Sequence, residues 1–261
     1  PNSRKLIGTS TARLGALQLA PDSRIYVAKF REQHLAVINN PNELGTASNY
    51  IDQGFHLGGQ LSRAGLPTFL QPITLLFGDE QSVVCSFNAV HDGGLNDSQF
   101  LTITPAPDYM VTALGNVHLG RDIEALASHP DTNALYAASG DNTDKQGYLY
   151  TVDEITGDLL SELDITGFTE VDALSFHPDG TLWGWDQRQG LLTINTNDAV
   201  GTLRVAEKNR EIEDLTWDTA GEVLYAVENN HVKGPDSEPD QNGVTLWAYT
   251  VKTDQIEAKC S

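Results

Sequence analysis

The chain has 261 residues, with 16 Lys and Arg against 36 Asp and Glu, and a formal net charge of −20. That charge repels phosphate backbones, which excludes nucleic-acid binding, while it suits cations or a salty exterior. Apolar residues make up 39% and include four Trp, enough for a core, and no apolar run approaches the ~20 residues that a helix needs to span a bilayer, which excludes membrane insertion by that route.

In chain order, the sequence begins at Pro1 rather than Met. This reads as a mature or excised fragment, in which a missing signal peptide says little. Residues 16–22 run into 24–28 and then 34–38, followed by the turn residues Asn39, Asn40, Pro41 and Asn42. Short alternating runs broken by such residues read as strands. Residues 66–94 are the least regular part, and 100–103 is the clearest strand of a degenerate unit. Three stretches then repeat one pattern. Ile123-Glu124-Ala125-Leu126 leads through His129-Pro130-Asp131 to Leu135-Tyr136-Ala137. Val171-Asp172-Ala173-Leu174 leads through His177-Pro178-Asp179-Gly180 to Leu182-Trp183-Gly184. Ile212-Glu213-Asp214-Leu215 leads through Trp217-Asp218 to Leu224-Tyr225-Ala226.

With the acidic residue as marker, the steps are 124 to 172 (48 residues) and 172 to 213 (41 residues). A period in the forties with four short strands is the pattern of a propeller blade. At about 45 residues per blade, the length allows five to six blades. No long helical period is present, so the fold class is all-β, a β-propeller of four-stranded antiparallel blades. The expected organisation is one domain over 1–261. It comprises an N-terminal blade region (1–75), a degenerate blade (76–121) and regular blades at 122–169, 170–210 and 211–261. First strands are expected at 122–128, 170–177 and 211–217.

The acidic residues that open each regular unit are the leading site candidates. Asp122 and Glu124, Glu170 and Asp172, and Glu211 and Glu213 recur two residues apart, so strand alternation would put each pair on one face. The first strand of a blade lines the channel, and six carboxylates there suit calcium, which takes oxygen ligands. The competing reading is that they cap strand starts and face water. Asp141, Asn142 and Asp144 resemble half of a calcium loop without its distal Glu, and read otherwise as a solvated hairpin. Cys85 and Cys260 form an even pair near the ends of the repeat region. They are expected to be a disulfide stapling the ring, or else two unrelated thiols. His129 and His177 hold equivalent turn positions and read as scaffold. Trp183, Trp185, Trp217 and Trp247 read as blade core rather than a sugar platform, with Trp183 buried between blades. The polar insertion at 233–243 is where a binding loop would sit. No zinc spacing, Gly-x-Ser-x-Gly elbow or glycine-rich phosphate loop occurs.

Two resemblances follow from longer matches. Leu17-Gln18-Leu19-Ala20-Pro21-Asp22, Ile25-Tyr26-Val27-Ala28, Val37-Ile38-Asn39-Asn40-Pro41-Asn42 and Gly65-Leu66-Pro67-Thr68-Phe69-Leu70-Gln71 resemble a blade of large secreted and surface proteins of Bacteroidetes, including gliding-motility-associated proteins. Asp92-Gly93-Gly94-Leu95-Asn96-Asp97-Ser98-Gln99-Phe100, Asp122-Ile123-Glu124-Ala125-Leu126 and Ala138-Ser139-Gly140-Asp141-Asn142-Thr143-Asp144 resemble repeat domains of long adhesin-like extracellular bacterial proteins. These imply a secreted or cell-surface, non-catalytic module for recognition or assembly. Its partners would be a protein or glycan at a propeller face and other modules of the same long protein. Glu213-Asp214-Leu215-Thr216-Trp217 is similar to calcium-dependent lactonase-like and phytase-like propellers, which implies the alternative of a calcium-dependent hydrolase acting at the channel mouth. A structural spacer is the third class.

Overall fold

Apolar residues at alternate positions give each short run one face to bury, and turn residues fold it back on the run before. A computed structural model of the chain describes residues 5–20, 22–57, 59, 61–62, 68–69, 73–77, 80–84, 87–92, 94, 96–103, 110–228, 244–252 and 255–257. Among these residues the only helical element is the 3-10 turn Gly45–Ser48.

The chain opens on β1 (Lys5–Ser10) and then builds blade 1 from β2 (Leu14–Leu19), β3 (Ile25–Lys29), β4 (His34–Ile38) and β5 (Tyr50–His56). Next comes β6 (Thr68–Phe69), followed by a separate hairpin of β7 (Ile73–Phe77) and β8 (Glu80–Val84). Blade 2 combines β6 with β9 (Phe87–Asp92), β10 (Ser98–Ile103) and β11 (Val111–His118). Blade 3 is β12 (Ile123–Ser128), β13 (Leu135–Ser139), β14 (Tyr148–Val152) and β15 (Leu159–Ile165). Blade 4 is β16 (Val171–Phe176), β17 (Leu182–Asp186), β18 (Gly190–Ile194) and β19 (Gly201–Ala206). Blade 5 is β20 (Ile212–Trp217), β21 (Val223–Glu228) and β22 (Val244–Lys252), with β23 (Gln255–Glu257) paired to the end of β22. Its fourth strand is β1, antiparallel to β22 with Lys5 opposite Ala248 and Ser10 opposite Val244.

The protein is therefore a five-bladed β-propeller. The inner strands β2, β6, β12, β16 and β20 pack side by side in that order, and β20 meets β2 to complete the circle. The expected first strands coincide with β12, β16 and β20 to within a residue at each end. The blade division differs from the expected 1–75 and 76–121 boundaries in two places. The N-terminal segment gives its first strand to blade 5, and β6, inside 1–75, is the inner strand of blade 2.

The core lies between blades. Ala125, Leu149, Phe168, Leu174, Leu182 and Ile194 fill the space between blades 3 and 4. Trp183, Trp185, Leu191, Leu215, Trp217 and Leu224 fill that between blades 4 and 5. Trp183 is 8% exposed and meets Trp217 edge to face with ring centroids 5.4 Å apart, so it is blade core. The repeated histidines are scaffold as well. The His177 ring nitrogen Nε2 lies 3.0 Å from the Gly221 carbonyl in the next blade's turn, and His129 packs beside Gly180 in the same relation. Both glycines have positive φ, 86° at Gly180 and 69° at Gly221; a Cβ at Gly221 would collide with the His177 ring, and one at Gly180 would press on the His129 ring.

Candidate functional site: the acidic mouth of the channel

Four of the five inner strands, β2, β12, β16 and β20, start opposite the end of their blade's second strand. Leu14 faces Lys29, Ile123 faces Ser139, Val171 faces Asp186 and Ile212 faces Glu228. All four second-strand residues are polar and buried, so this rim of the ring is lined by buried polar groups. Just inside it the register slips in the same place each time, between Ile123 and Ala125, Val171 and Ala173, and Ile212 and Asp214. The skipped residue is Glu124, Asp172 or Glu213. Each repeated acid thus sits on a β-bulge, a device that re-aims a side chain and breaks strand alternation. In blade 1 the slip between Leu14 and Leu17 takes in Gly15 and Ala16, so that blade adds no carboxylate at the position.

The first acid of each pair, Asp122, Glu170 or Glu211, precedes its strand, which starts at Ile123, Val171 or Ile212, and the second sits on the bulge. Asp122 is buried with φ 52°, and its carboxylate accepts the Asn142 N–H at 2.7 Å, which ties down the 140–147 loop. Glu170 and Asp141 are both bound by the Arg188 guanidinium, with Nε 3.5 Å from Glu170. Glu213 pairs with Arg13 at 3.5 Å. Glu211 lies close enough to Glu170 for their charges to interact. Asp186 holds this arrangement from below, accepting the Thr169 and Glu170 N–H groups at 3.1 and 3.2 Å.

Glu124 and Asp172 are brought together. They come from neighbouring blades and are hydrogen-bonded to each other. Glu124 is exposed, yet protein atoms crowd its carboxylate, which lies over Gly140, where a Cβ would collide with it. Crowding by protein raises its pKa, and the charges of Asp122, Glu170 and Asp141 raise it further. Burial likewise raises that of Asp172, followed by its hydrogen bond to Glu124 and the charges of Glu124, Glu170 and Glu213. The pair therefore retains one proton well above the ordinary carboxyl range.

The ring-closing seam carries its own acid. Where blades 3 and 4 have Ala125 and Ala173, blade 5 has Asp214. Its carboxylate accepts the N–H of Leu17, beside the bulge in β2, at 2.8 Å and that of Leu215 at 2.8 Å. Burial pushes Asp214 up to about 7 against those hydrogen bonds. At the rim of blade 5, Glu228 accepts from Arg210 at 2.7 Å and from the Trp247 indole at 2.5 Å.

Asp141, Asn142 and Asp144 do not gather round a common point. Asp141 binds Arg188, the Asn142 carbonyl accepts from Asn96 at 2.7 Å, and Asp144 is exposed. Among the described residues, no three His, Cys, Asp or Glu side chains stand close enough to share a metal ion. Cys85, Cys260 and the 233–243 insertion lie outside the described residues. Sequence reasoning missed Arg13, Arg188 and Arg210, which divide the acidic ring, and it missed Asp214. The Asp214 signal was legible as a departure from Ala in an otherwise regular repeat.

No protein-family model and no curated protein matches the chain. Among solved structures it is similar to a gluconolactonase from Xanthomonas campestris, with a TM-score of 0.50 and 12% identity over 91% of this chain and 71% of that one. It is also similar to the PQQ-bound aldose sugar dehydrogenase of Streptomyces coelicolor, with a TM-score of 0.47 and 10% identity over 94% and 97%. Hydrazine synthase of Kuenenia stuttgartiensis gives a TM-score of 0.38 and 16% identity, over 52% of this chain and 37% of that chain's length. At 12% identity the likeness to the gluconolactonase shows the fold alone, a β-propeller.

Proposed function

We propose that the chain is a recognition module of a large bacterial secreted or surface protein, and that its ligand site is the acidic mouth of the channel. The observation that carries this reading is the bulge repeated in three consecutive inner strands, each presenting a carboxylate at one rim. A scaffold needs no acid at that place, as Gly15 and Ala16 in blade 1 demonstrate. Within this reading calcium is the first cation to test, because the donors are all oxygen. Oxygen donors suit it, but among the described residues no three of these acids stand close enough to share an ion, Asp141, Glu170 and Glu213 are held by arginine, and two share a proton. A cation must displace that proton, so binding strengthens as pH rises. A protein or glycan ligand at this face, and neighbouring modules of the same long protein, are the expected partners.

Millimolar calcium should raise the melting temperature above that in sodium chloride of equal ionic strength. At about 100 times Kd the gain is about 2.7 kcal/mol, roughly 5–10 °C for a domain of this size. Glu124→Gln combined with Asp172→Asn should abolish most of the rise. Equal effects of the two salts would mean that only screening acts, and the mouth would then be a solvated rim of a structural spacer.

The second reading is a calcium-dependent, lactonase-like hydrolase at the same mouth. It is favoured by the Glu124–Asp172 pair, since a carboxyl with a raised pKa suits general acid–base work. Titrating acid release from a simple sugar lactone in a pH-stat, with and without calcium, separates the two: turnover that stops in Asp172→Asn supports the enzyme.

A further inference from the structure

The ring closes between blades 5 and 1, and the repeat is broken there at the end of the seam away from the mouth. The turn after the inner strand opens on His129 in blade 3, His177 in blade 4 and Asp218 in blade 5, and each donates its backbone N–H across the turn at 2.9 Å. The two imidazoles pack on an aromatic ring of the next inner strand, His129 on Phe176 and His177 on Trp217. Phe176 faces Leu182 and Trp217 faces Leu224, as Leu19 faces Ile25 in blade 1. At the closing seam, therefore, both planar groups give way to smaller ones, Asp218 and Leu19.

Asp218 is 0% exposed. It stands across from Val223, two residues before Tyr225, so alternation puts Asp218, Val223 and Tyr225 on one face. Val223 and Tyr225 pack with Ile25, Val27 and Ala36 of blade 1, so that face looks across the seam. The Asp218 Oδ1 accepts the Glu222 N–H at 2.8 Å, while Oδ2 has no hydrogen-bond partner. The other buried charges are answered: Lys29 by Asp52, Asp122 by the Asn142 N–H, Asp186 by the N–H groups of Thr169, Glu170 and Arg188, and Glu228 by Arg210. Among the described residues, Asp218 alone of these keeps an unpartnered oxygen. On the same face the Tyr225 hydroxyl reaches two carbonyls of blade 1, that of Pro41 and, at 3.3 Å, that of Glu43. The Asp218 charge acts on that hydroxyl. A buried carboxylate needs a counter-charge or a full set of donors. A proton does not meet the need, because a protonated Oδ2 is a donor that again has no partner.

We propose that a singly charged metal cation, sodium or potassium, joins blades 5 and 1 at this point, bound by Asp218 Oδ2, the Tyr225 hydroxyl oxygen and the Pro41 and Glu43 carbonyls. All four donors are oxygens, as hard cations require, and carbonyls replace the hydration shell of an alkali ion. One carboxylate among neutral oxygens balances one positive charge. Asp218 follows the end of β20 and the mouth acids stand at the strand starts, so the site uses none of them and goes beyond the recognition reading.

Melting of the intact chain in sodium, potassium and choline chlorides of equal ionic strength tests the site, choline being too large to enter it. Sodium or potassium should raise the melting temperature above the choline value, by about 3–5 °C for each tenfold rise in salt above Kd. Screening is equal in the three salts and cancels. In Asp218→Asn the side-chain oxygen still accepts the Glu222 N–H and the amide donates to the carbonyls in the ion's place, so the difference between salts should vanish. Tyr225→Phe removes one donor oxygen and should shrink the difference, and it serves if the first variant does not fold. Equal melting in the three salts, as a buried water would give, overturns the site, and so does a difference that survives in Asp218→Asn. The protein with Glu124→Gln and Asp172→Asn should keep the difference; its loss there would put the ion at the mouth instead. The calcium experiment stands apart, because it is read from that double variant and not from Asp218→Asn.

Discussion

A chain lacking residues 1–10 should melt well below the intact protein and associate with itself as concentration rises. β1 is the fourth strand of blade 5, so the first and last segments of the chain close the ring together. Ile7 is 6% exposed and packs with Val223, Tyr225, Val227, Leu246 and Ala248, residues of the last blade. Leaving it out forfeits about 1.5–3 kcal/mol of apolar burial and about 0.5–1.5 kcal/mol for each ladder hydrogen bond to β22. Gly8 packs against the Tyr50 ring in blade 1, so β1 also braces the neighbouring blade. The total is a large part of the 5–15 kcal/mol that holds a domain together. The deletion also bares β22 as a long edge, and an unpaired edge recruits other chains. Calorimetry and light scattering on the shortened chain check both effects, and a synthetic peptide of residues 1–12 added in trans should restore part of the loss. Unchanged melting would show that β1 is an accessory strand.

Trp185→Ala should cost about 3–5 kcal/mol, the usual range for removing a buried large aromatic side chain. Trp185 is fully buried between blades 4 and 5, and its indole N–H donates to the Arg210 carbonyl at 3.0 Å. The mutation opens a cavity walled by Ala173, Ile212, Leu215 and Tyr249 and leaves that carbonyl without its donor. Trp185→Phe keeps most of the volume and should cost less, which separates packing from the hydrogen bond. Trp183→Ala should fall in the same range, since that ring is wedged against Trp217. Denaturant unfolding measures all three. A Trp183→Ala protein as stable as the parent would return that ring to the list of possible ligand platforms.

Strand positions, the repeat and the all-β class were legible in the sequence, because period-2 alternation and turn chemistry are local properties read residue by residue. The scaffold role of His129 and His177 was legible too, since equivalent residues at equivalent turns make equivalent contacts. The pairing of β1 with the last blade was not, because ring closure joins residues more than 200 positions apart and leaves no periodic mark in either strand. The acidic ring was half legible. Composition and spacing marked Glu124, Asp172 and Glu213, but not the bulge that carries each of them, since a bulge depends on the partner strand's register. Which carboxylate meets an arginine, and which meets another carboxyl, was decided by how five blades wrap round one axis. The sequence by itself determined that this chain builds repeated four-stranded units with an acid at the start of each regular one. Only the tertiary structure decided that Glu124 and Asp172 stand alone together, because Arg13 and Arg188 reach their partners across blade seams that no local pattern records.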